Sequence, residues 1–386
     1  MKKILVAMDS MKGCLDSYRA SQWVAIGMQE AFPESEVVFT PVSDGGEGME
    51  QMVACGRQDI EICDCKVNSP LGVEINAEWL MIKDKVERCA YIEFASAGGL
   101  TLVDEENRNP LDTTSYGVGQ MIRDAIKKGI YDIRLGLGGS ATVDAGLGAL
   151  QALGLRLLDK NGRDLPRPFK GRMLADVGDI ELTDDFKKKI NNLELTLLCD
   201  VEAPFTGECG AANVFGPQKG AKDEEVKMLE EGMDNIRKLI IEKSGIDLNL
   251  IPGSGAAGGA AGGLVAFVGA KIKKGASTLL DLIGFDNDIE GVDLIITGEG
   301  SSDRQTLMGK IPYEILQRGK KKNIPVWLVA GRVRDREALH EAGFERIFCI
   351  NSPDVVSRSG TLGQGPMDPY VAARRLSSII KPDKFT

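Results

Sequence analysis

The chain has 386 residues, of which 43% are hydrophobic and 27% are charged, and these proportions exclude a disordered, collagen-like or disulfide-scaffold chain. At about 100–200 residues per domain, this length predicts two domains. Lys and Arg number 47 against 57 Asp and Glu, and the net charge of −10 argues against a nucleic-acid-binding protein.

Two further features of the sequence narrow the function. No apolar run reaches the roughly 18–20 residues of a membrane-spanning helix, and the N-terminal segment turns polar at Asp9, too early for a signal peptide. We therefore expect a cytoplasmic protein without a membrane partner. The single histidine, His340, excludes histidine-based triads and multi-histidine metal sites. Any catalysis must use carboxylates and lysines.

The two ends of the chain share one pattern. The N-terminal part predicts a strand over 4–8, a helix that begins at an Asp16/Ser17 cap and ends before Pro33, and a strand over 37–42. The C-terminal part predicts strands over 292–297, 326–330 and 346–350, with helices between them. Short buried strands that alternate with helices indicate a parallel sheet.

The middle of the chain has a different pattern. Apolar and polar residues alternate over 71–81, and a second strand over 90–94 completes an antiparallel hairpin. A capped helix that stops at Gly129 follows, and then strands over 133–137 and 193–199.

We predict an α/β protein of two α/β domains. A parallel Rossmann-like sheet domain is built from both chain ends, residues 1–66 and 286–386. A mixed α/β domain, residues 67–285, is inserted into it.

Four glycine-rich turns follow predicted strands and carry acids: DSMKG (9–13), SDGGEG (43–48), GLGGSATVDAG (136–146) and TGEGSSDRQT (297–306). Glycines at strand ends let backbone N–H groups approach a phosphate. Acids fit beside a phosphate when they hold a divalent cation or accept a proton from a hydroxyl. Together the four turns predict phosphoryl transfer, whereas each one alone could be a tight turn with a capping Asp.

A fifth glycine-rich stretch, PGSGAAGGAAGG (252–263), contains a G-x-G-x-x-G pattern. It does not follow a buried strand, so we discount nicotinamide binding. It is either a helix start packed closely on a neighbour or an anion-holding turn. The sequence has no Walker A pattern, which excludes a P-loop kinase.

Taken in order, these segments resemble the glycerate kinase family, the bacterial two-domain type that forms 2-phosphoglycerate. The resemblance is carried by DSMKG, PVSDGGEG, ASAGGL with NPLDTTSYG, LGLGGSAT-x-DAG, CDVEAPFTG, FGPQKGA, GSGAAGG and TGEGSSDRQTLMGK. It implies ATP- and Mg²⁺-dependent phosphorylation of D-glycerate on a hydroxyl, with an active site in the cleft between the two domains.

The chain departs from the family pattern at four residues, and one of them is Cys14, where the family segment DSFKGS has a small residue. The third cluster commonly reads SATNDGG, and Val143 and Ala145 replace its amide and one glycine. Ala203 stands before Pro204 where the family commonly has Asn-Pro. Asp144 and Asp200 are retained.

The resulting hypothesis assigns four groups of residues. The catalytic residues are Asp44, Asp144 and Lys12, with one of the two acids accepting the hydroxyl proton. Glycerate is bound by Asp9, Ser10, Lys12, Gly45 and Gly46. ATP is bound by Gly138, Gly139, Ser140, Gly255, Gly258, Gly259 and Lys310. Mg²⁺ is held by Asp200 and by Glu299 or Asp303.

Two alternatives stay open. The enzyme could be a kinase for another small hydroxy acid, or a catalytically impaired protein that binds a nucleotide or an acid. The expected partner is a small-molecule substrate, and a homo-oligomer is left open.

Overall fold

A computed structural model describes residues 1–11, 15–46, 48–83 and 88–351. The elements of its first third, in chain order, are β1 (Lys3–Met8), α1 (Ser17–Ala31), β2 (Glu36–Phe39), α2 (Met49–Gly56), β3 (Ile60–Asn68), β4 (Glu74–Ile82), β5 (Cys89–Glu93), α3 (Ala95–Gly98), α4 (Tyr116–Lys127) and β6 (Asp132–Gly136).

The elements of the middle third are α5 (Leu147–Leu153), β7 (Arg156–Asp159), β8 (Val177–Glu181), α6 (Asp184–Ile190), β9 (Glu194–Leu198), α7 (Ala211–Phe215), α8 (Asp223–Ser244), α9 (Ala260–Val268) and β10 (Lys271–Lys273). The last third contains α10 (Gly275–Leu282), α11 (Phe285–Asp288), β11 (Leu294–Ser302), α12 (Ile311–Lys321), β12 (Val326–Val333), α13 (Arg336–Glu341) and β13 (Arg346–Cys349). Single 3₁₀ turns lie between several of them.

The described chain divides into two compact units. Unit 1 combines Met1–Gln58 with the described residues from Lys274 on, and unit 2 is Asp59–Lys273. The described strands of unit 1 form a parallel sheet in the order β13-β12-β11-β1-β2. The prediction of a parallel sheet built from both chain ends is thereby confirmed.

The core of unit 1 explains why the strands of this unit are continuous apolar runs in the sequence. β1 is buried along its length after Lys3, as expected of a strand with helices on both faces of the sheet. Helix α1 begins where Asp16 accepts a hydrogen bond from the Arg19 amide, and it packs Val24 and Met28 against this sheet.

Unit 2 contains a mixed sheet in the order β10-β9-β6-β5-β4-β3. The strands from β10 to β5 run parallel, whereas β4 is antiparallel to both of its neighbours. The predicted antiparallel pairing of β4 with β5 is confirmed, but the strand begins at Glu74, and Val73 before it is exposed. A separate hairpin of β7 and β8, which the sequence analysis did not predict, lies in the same unit.

The unit boundaries differ from the residues predicted, 66/67 and 285/286. Strand β3, which was not predicted, pairs with β4 along its whole length, so its segment belongs to unit 2. At the other boundary, helices α10 and α11 belong to unit 1, where Arg318 of α12 bonds to Asp281 and Asp286. Backbone pairing with β4 decides the first boundary, and the side-chain bonds of Arg318 decide the second.

Candidate active site

The first group of candidate residues follows β1 in unit 1. Asp9 and Ser10 are both buried, and the Asp9 amide donates to the carbonyl of Gly298 in β11 at 2.9 Å. The Asp9 Oδ1 accepts from the Ser10 amide at 2.7 Å. Among the described residues the buried Ser10 Oγ has no hydrogen-bond partner. A buried hydroxyl without a partner is an observation that a bound ligand would explain. Lys12 lies outside the described residues.

The second group follows β2, the neighbour of β1 in the sheet. Gly45 has a φ of 91°, which glycine adopts without strain, and its amide donates to Ser43 Oγ at 3.3 Å. The Gly46 amide donates to the half-buried Asp44 Oδ1 at 2.9 Å. A Cβ on Gly275 would lie 2.0 Å from the Asp44 carbonyl oxygen, so the start of α10 packs tightly on this turn. These contacts fix the backbone around Asp44.

The third group lies at the end of β11, on the other side of β1. Glu299 is 7% exposed, and its Oε1 accepts from Thr306 Oγ1 at 2.6 Å and from Ser302 Oγ at 3.2 Å. Its Oε2 lies 3.1 Å from Lys310 Nζ. Asp303 accepts from the Gln305 amide and so caps the 3₁₀ turn Arg304–Met308.

These contacts bear on two of the assigned roles. Lys310, assigned to ATP, is an ion-pair partner of Glu299. Asp303, assigned to Mg²⁺, has a structural function as a helix cap.

In unit 2, the loop after β6 offers unoccupied backbone donors. Gly139 has a φ of 72°. Two hydrogen bonds of 2.8 Å hold the loop at this point: the Leu100 amide donates to the Gly139 carbonyl, and the Ala141 amide donates to the Gly98 carbonyl. Within the described part of the chain, the amides of Gly138, Gly139 and Ser140 donate to no other group. Successive free amides at a strand end form an anion-binding concavity.

Asp200 follows β9, the strand next to β6. The registers of the two strands match Gly136 with Leu198, and the Leu137 amide donates to the Leu198 carbonyl at 3.2 Å. The half-buried Asp200 therefore lies at the same sheet edge as the loop 138–140. The described residues contain no group of three or more acids, cysteines or histidines that could hold a metal ion.

Asp144 is fully buried below this loop. Its Oδ2 accepts from the Ser115 amide and the Ser115 hydroxyl, both at 2.7 Å, and its Oδ1 accepts from the Gly146 amide at 3.1 Å. Burial raises the pKa of the Asp144 carboxyl, and these hydrogen bonds act against the rise. With both oxygens bonded internally, the carboxylate holds the start of α4 against the start of α5.

The structure shows the surroundings of the two residues in this loop that depart from the family pattern. Val143 is fully buried in the core of unit 2. Ala145 has a φ of 56°, in the left-handed region where an alanine costs roughly 1–2 kcal/mol and a glycine does not. The glycine of the family pattern is thus the residue that this backbone favours.

The stretch 252–263 packs behind the same loop. A Cβ on Gly258 would lie 1.9 Å from the Thr142 carbonyl oxygen, and one on Gly255 would lie 2.1 Å from that of Pro204. The amides of Gly255 and Gly259 donate to the carbonyls of Ala203 and Gly255. These two amides are therefore bonded within the protein, and the contacts favour the close-packing alternative over an anion-holding turn.

Lys219 is a residue that the assignment left out. It is 3% exposed, and its Nζ donates to Ser140 Oγ at 2.8 Å and to the Thr142 carbonyl at 2.7 Å. Burial lowers the pKa of the Lys219 ammonium to about 7, against the effect of Asp144. The segment FGPQKGA, which contains this lysine, contributed to the family resemblance, but it gave no sign that the lysine is buried.

Comparison with known proteins identifies the class of this chain. A model of the glycerate kinase family matches residues 4–361. A glycerate kinase of Halalkalibacterium halodurans is 36% identical, with both chains fully covered, and a glycerate 2-kinase of Escherichia coli K12 is 36% identical over 90% of each chain. A crystal structure from Salmonella typhimurium LT2, assigned there as a glycerate kinase 2, superposes with a TM-score of 0.74, 32% identity and full coverage of both chains.

The two-domain α/β fold and these matches define a phosphotransferase. The chain belongs to the glycerate kinase family. Within the described residues, no helix is long and apolar enough to cross a membrane.

The burial of Lys219 predicts a pH-dependent stability. In the unfolded chain a lysine keeps its proton up to about pH 10.4, whereas in the fold Lys219 releases it near pH 7. The unfolded state binds more protons between these values, so this group makes the free energy of unfolding rise with pH, by at most about 1.4 kcal/mol per pH unit. We expect urea unfolding between pH 7 and 10 to show this rise in the wild type relative to Lys219→Met. Parallel pH curves of the two proteins would contradict the burial.

Proposed function

We propose that this enzyme phosphorylates D-glycerate to 2-phosphoglycerate with ATP and Mg²⁺. The observation that carries the proposal is the row of three free amides at 138–140 beside Asp200. The name of the Escherichia coli relative, glycerate 2-kinase, supports the substrate and the position. An ATP-consuming reaction also fits the cytoplasmic location that we expect from the sequence.

The loop 138–140 is our proposed site for the nucleotide phosphates. Phosphoryl transfer depends on positioning and charge neutralisation, and amides fixed by a rigid loop provide both without reorganisation. Gly139 faces solvent and the loop is held by its bonds to Gly98 and Leu100, so the donors are presented at the surface of unit 2. Gly258 and Gly259 would act by packing against residues 142–145, which follow this loop, and Gly255 by packing against Pro204.

The residues present fit a magnesium ion that is held mainly by the nucleotide. Mg²⁺ usually keeps several waters and takes one or two carboxylates together with phosphate oxygens, so a cluster of three protein ligands is not needed. We propose Asp200, beside the amide row, as its protein ligand in unit 2, with Glu299 as a second candidate in unit 1. When bound, the ion would neutralise charge on the transferred phosphoryl group. Asp303 is better explained as a cap.

The turns after β1 and β2 are our proposed site for glycerate. The free Ser10 hydroxyl and the side chain of Lys12 are donors of the kind that a carboxylate and hydroxyls require. Gly45 and Gly46 would shape the second turn, since their amides donate to Ser43 and Asp44. Asp9 shapes this turn by accepting from Ser10.

Asp44 is our proposed base. Its carboxylate is half-buried, so a substrate hydroxyl can approach it, whereas the Asp144 carboxylate is fully buried. Asp144 would then act by positioning the loop.

A coupled ADP-release assay with Mg-ATP and D-glycerate tests the proposed function. We expect glycerate-dependent ADP, and phosphoenolpyruvate when enolase is added alone, because enolase accepts 2-phosphoglycerate and not the 3-isomer. ADP without phosphoenolpyruvate would move the phosphate to the other hydroxyl. No glycerate-dependent ADP would overturn the substrate, and a panel of small hydroxy acids would then follow.

Asp44→Asn tests the base. An amide cannot accept the hydroxyl proton, so we expect kcat to fall about 10²–10⁴-fold with little change in the KM for ATP. Glu34→Gln, a carboxylate-to-amide change at an exposed residue of the same unit, is the matched control and should keep wild-type rates. Full turnover in Asp44→Asn would remove Asp44 as the base.

Gly139→Ala tests the nucleotide loop. At a φ of 72°, an alanine strains the turn that presents the amides, so we expect the KM for ATP to rise about tenfold or more. Gly129→Ala is the control, because Gly129 has a φ of 76° with no atom near its Cβ position and carries the same backbone penalty away from the loop. An equal effect of both changes on the KM would show that the loop does not bind ATP.

A further inference from the structure

Lys219 is held behind the amide row by its own turn. It ends the 3₁₀ turn Pro217–Lys219, and Gly220 closes that turn with a φ of 97°. A Cβ on Gly220 would lie 2.1 Å from the Arg108 carbonyl oxygen, so the backbone after Lys219 is fixed against that segment. The backbone of Lys219 is therefore fixed by the fold, and its buried Nζ lacks the freedom of a surface lysine.

The bond from Lys219 to Ser140 sets the direction of the serine hydroxyl. When Lys219 is protonated its ammonium only donates, so Ser140 Oγ then accepts in this bond. Its own proton then points away from Lys219 and remains available for another acceptor. The half-buried Ser140 is also the third residue of the free amide row, so a phosphate oxygen bound there would meet both its amide and its hydroxyl.

The charges around Lys219 are few. Among the described residues, Asp144 is the one ionisable group whose charge acts on it. The guanidinium of Arg108 is directed to the Val103 carbonyl and to Glu105. At the start of α8, the Glu225 carboxylate accepts from the Asn109 side chain and from the Lys222 amide.

We propose that Lys219 is a positioning residue for the nucleotide: its ammonium orients Ser140 and places a buried positive charge behind the amide row, so that phosphate binding and protonation of Lys219 favour each other. The inference rests on the proposed site for the phosphates. A lysine on the surface of this loop would be strongly hydrated and screened, whereas a buried one exerts its charge through a medium of low dielectric.

Linkage gives this proposal a measurable signature. Without a ligand, burial holds the pKa of Lys219 at about 7, so most of the amine is neutral at pH 8. A polyphosphate beside Ser140 favours the charged form and raises that pKa. Binding of the nucleotide must then take up a proton, and by reciprocity the affinity falls as the pH rises from 7 to 9.

The experiment is calorimetric titration of the full chain with Mg-ADP at pH 8, without glycerate, in two buffers of different ionisation enthalpy. We expect the wild type to take up about half a proton or more per ADP bound. Lys219→Met should bind ADP about tenfold more weakly or worse, with no proton uptake. Lys227→Met, at an exposed lysine of α8, should match the wild type in both quantities.

Two further variants separate positioning from folding. Lys219→Arg keeps a permanent charge, so we expect it to recover part of the affinity without proton uptake. Ser140→Ala should weaken ADP binding and retain the uptake. The proposal would be overturned if the wild type took up no proton, or if the wild type and Lys219→Met took up equal amounts. The first of these outcomes is measured on the wild type alone, so it does not depend on whether a variant folds.

The failure of this inference can be told from the failure of the proposed function. The titration contains no glycerate, so a chain that takes up a proton with ADP but does not phosphorylate glycerate would keep the role of Lys219 and lose the substrate. If the chain phosphorylates glycerate but binds ADP without proton uptake, the substrate is kept and the role of Lys219 is lost.

Discussion

The loop at 138–140 that we propose for the nucleotide depends on the burial of one carboxylate. Asp144 has no contact with solvent, and a charge in such a place is expensive unless donors surround it. The donors come from Ser115 and Gly146, which belong to segments on either side of it in the fold. Satisfying this carboxylate fixes the starts of α4 and α5 together, and Gly258, Gly259 and Gly263 pack against residues 142–145. The amide row at 138–140 is presented by that arrangement.

Much of the fold could be predicted because its strands are short and buried. In the run at residues 4–8 and in the runs near the C-terminus, apolar residues do not alternate with polar ones. This pattern indicated a parallel sheet, and the structure confirms the parallel sheet. Strand β3 could not be predicted in the same way. It lies at the edge of its sheet with Ile62 exposed, so its pattern lacks the regular inward face of β4. Its antiparallel pairing with the next strand, β4, places the segment in unit 2 and so sets the unit boundary.

The candidate site was predictable in its location and less so in its roles. Glycine-rich turns at strand ends led from the sequence to the segments of the candidate site, since parallel strands bring their carboxyl ends to one edge. The sequence could not distinguish Asp44 in a half-buried turn from Asp144 in the core, nor identify Asp303 as a cap. It also assigned no role to Lys219, because the acceptors of its ammonium, Ser140 and Thr142, are far from it along the chain.

The placement of β1 between β2 and β11 has a consequence for how the chain folds during synthesis. Its first neighbour, β2, emerges from the ribosome soon after it, but its second neighbour belongs to the C-terminal part of unit 1. At 5–20 residues per second, unit 2 takes roughly 10–40 s to synthesise. Throughout that interval one hydrogen-bonding edge of β1 has no partner strand, while the inserted unit, which is continuous in sequence, can complete its own core. The discontinuous unit is thus the part of the nascent chain that most needs protection from aggregation.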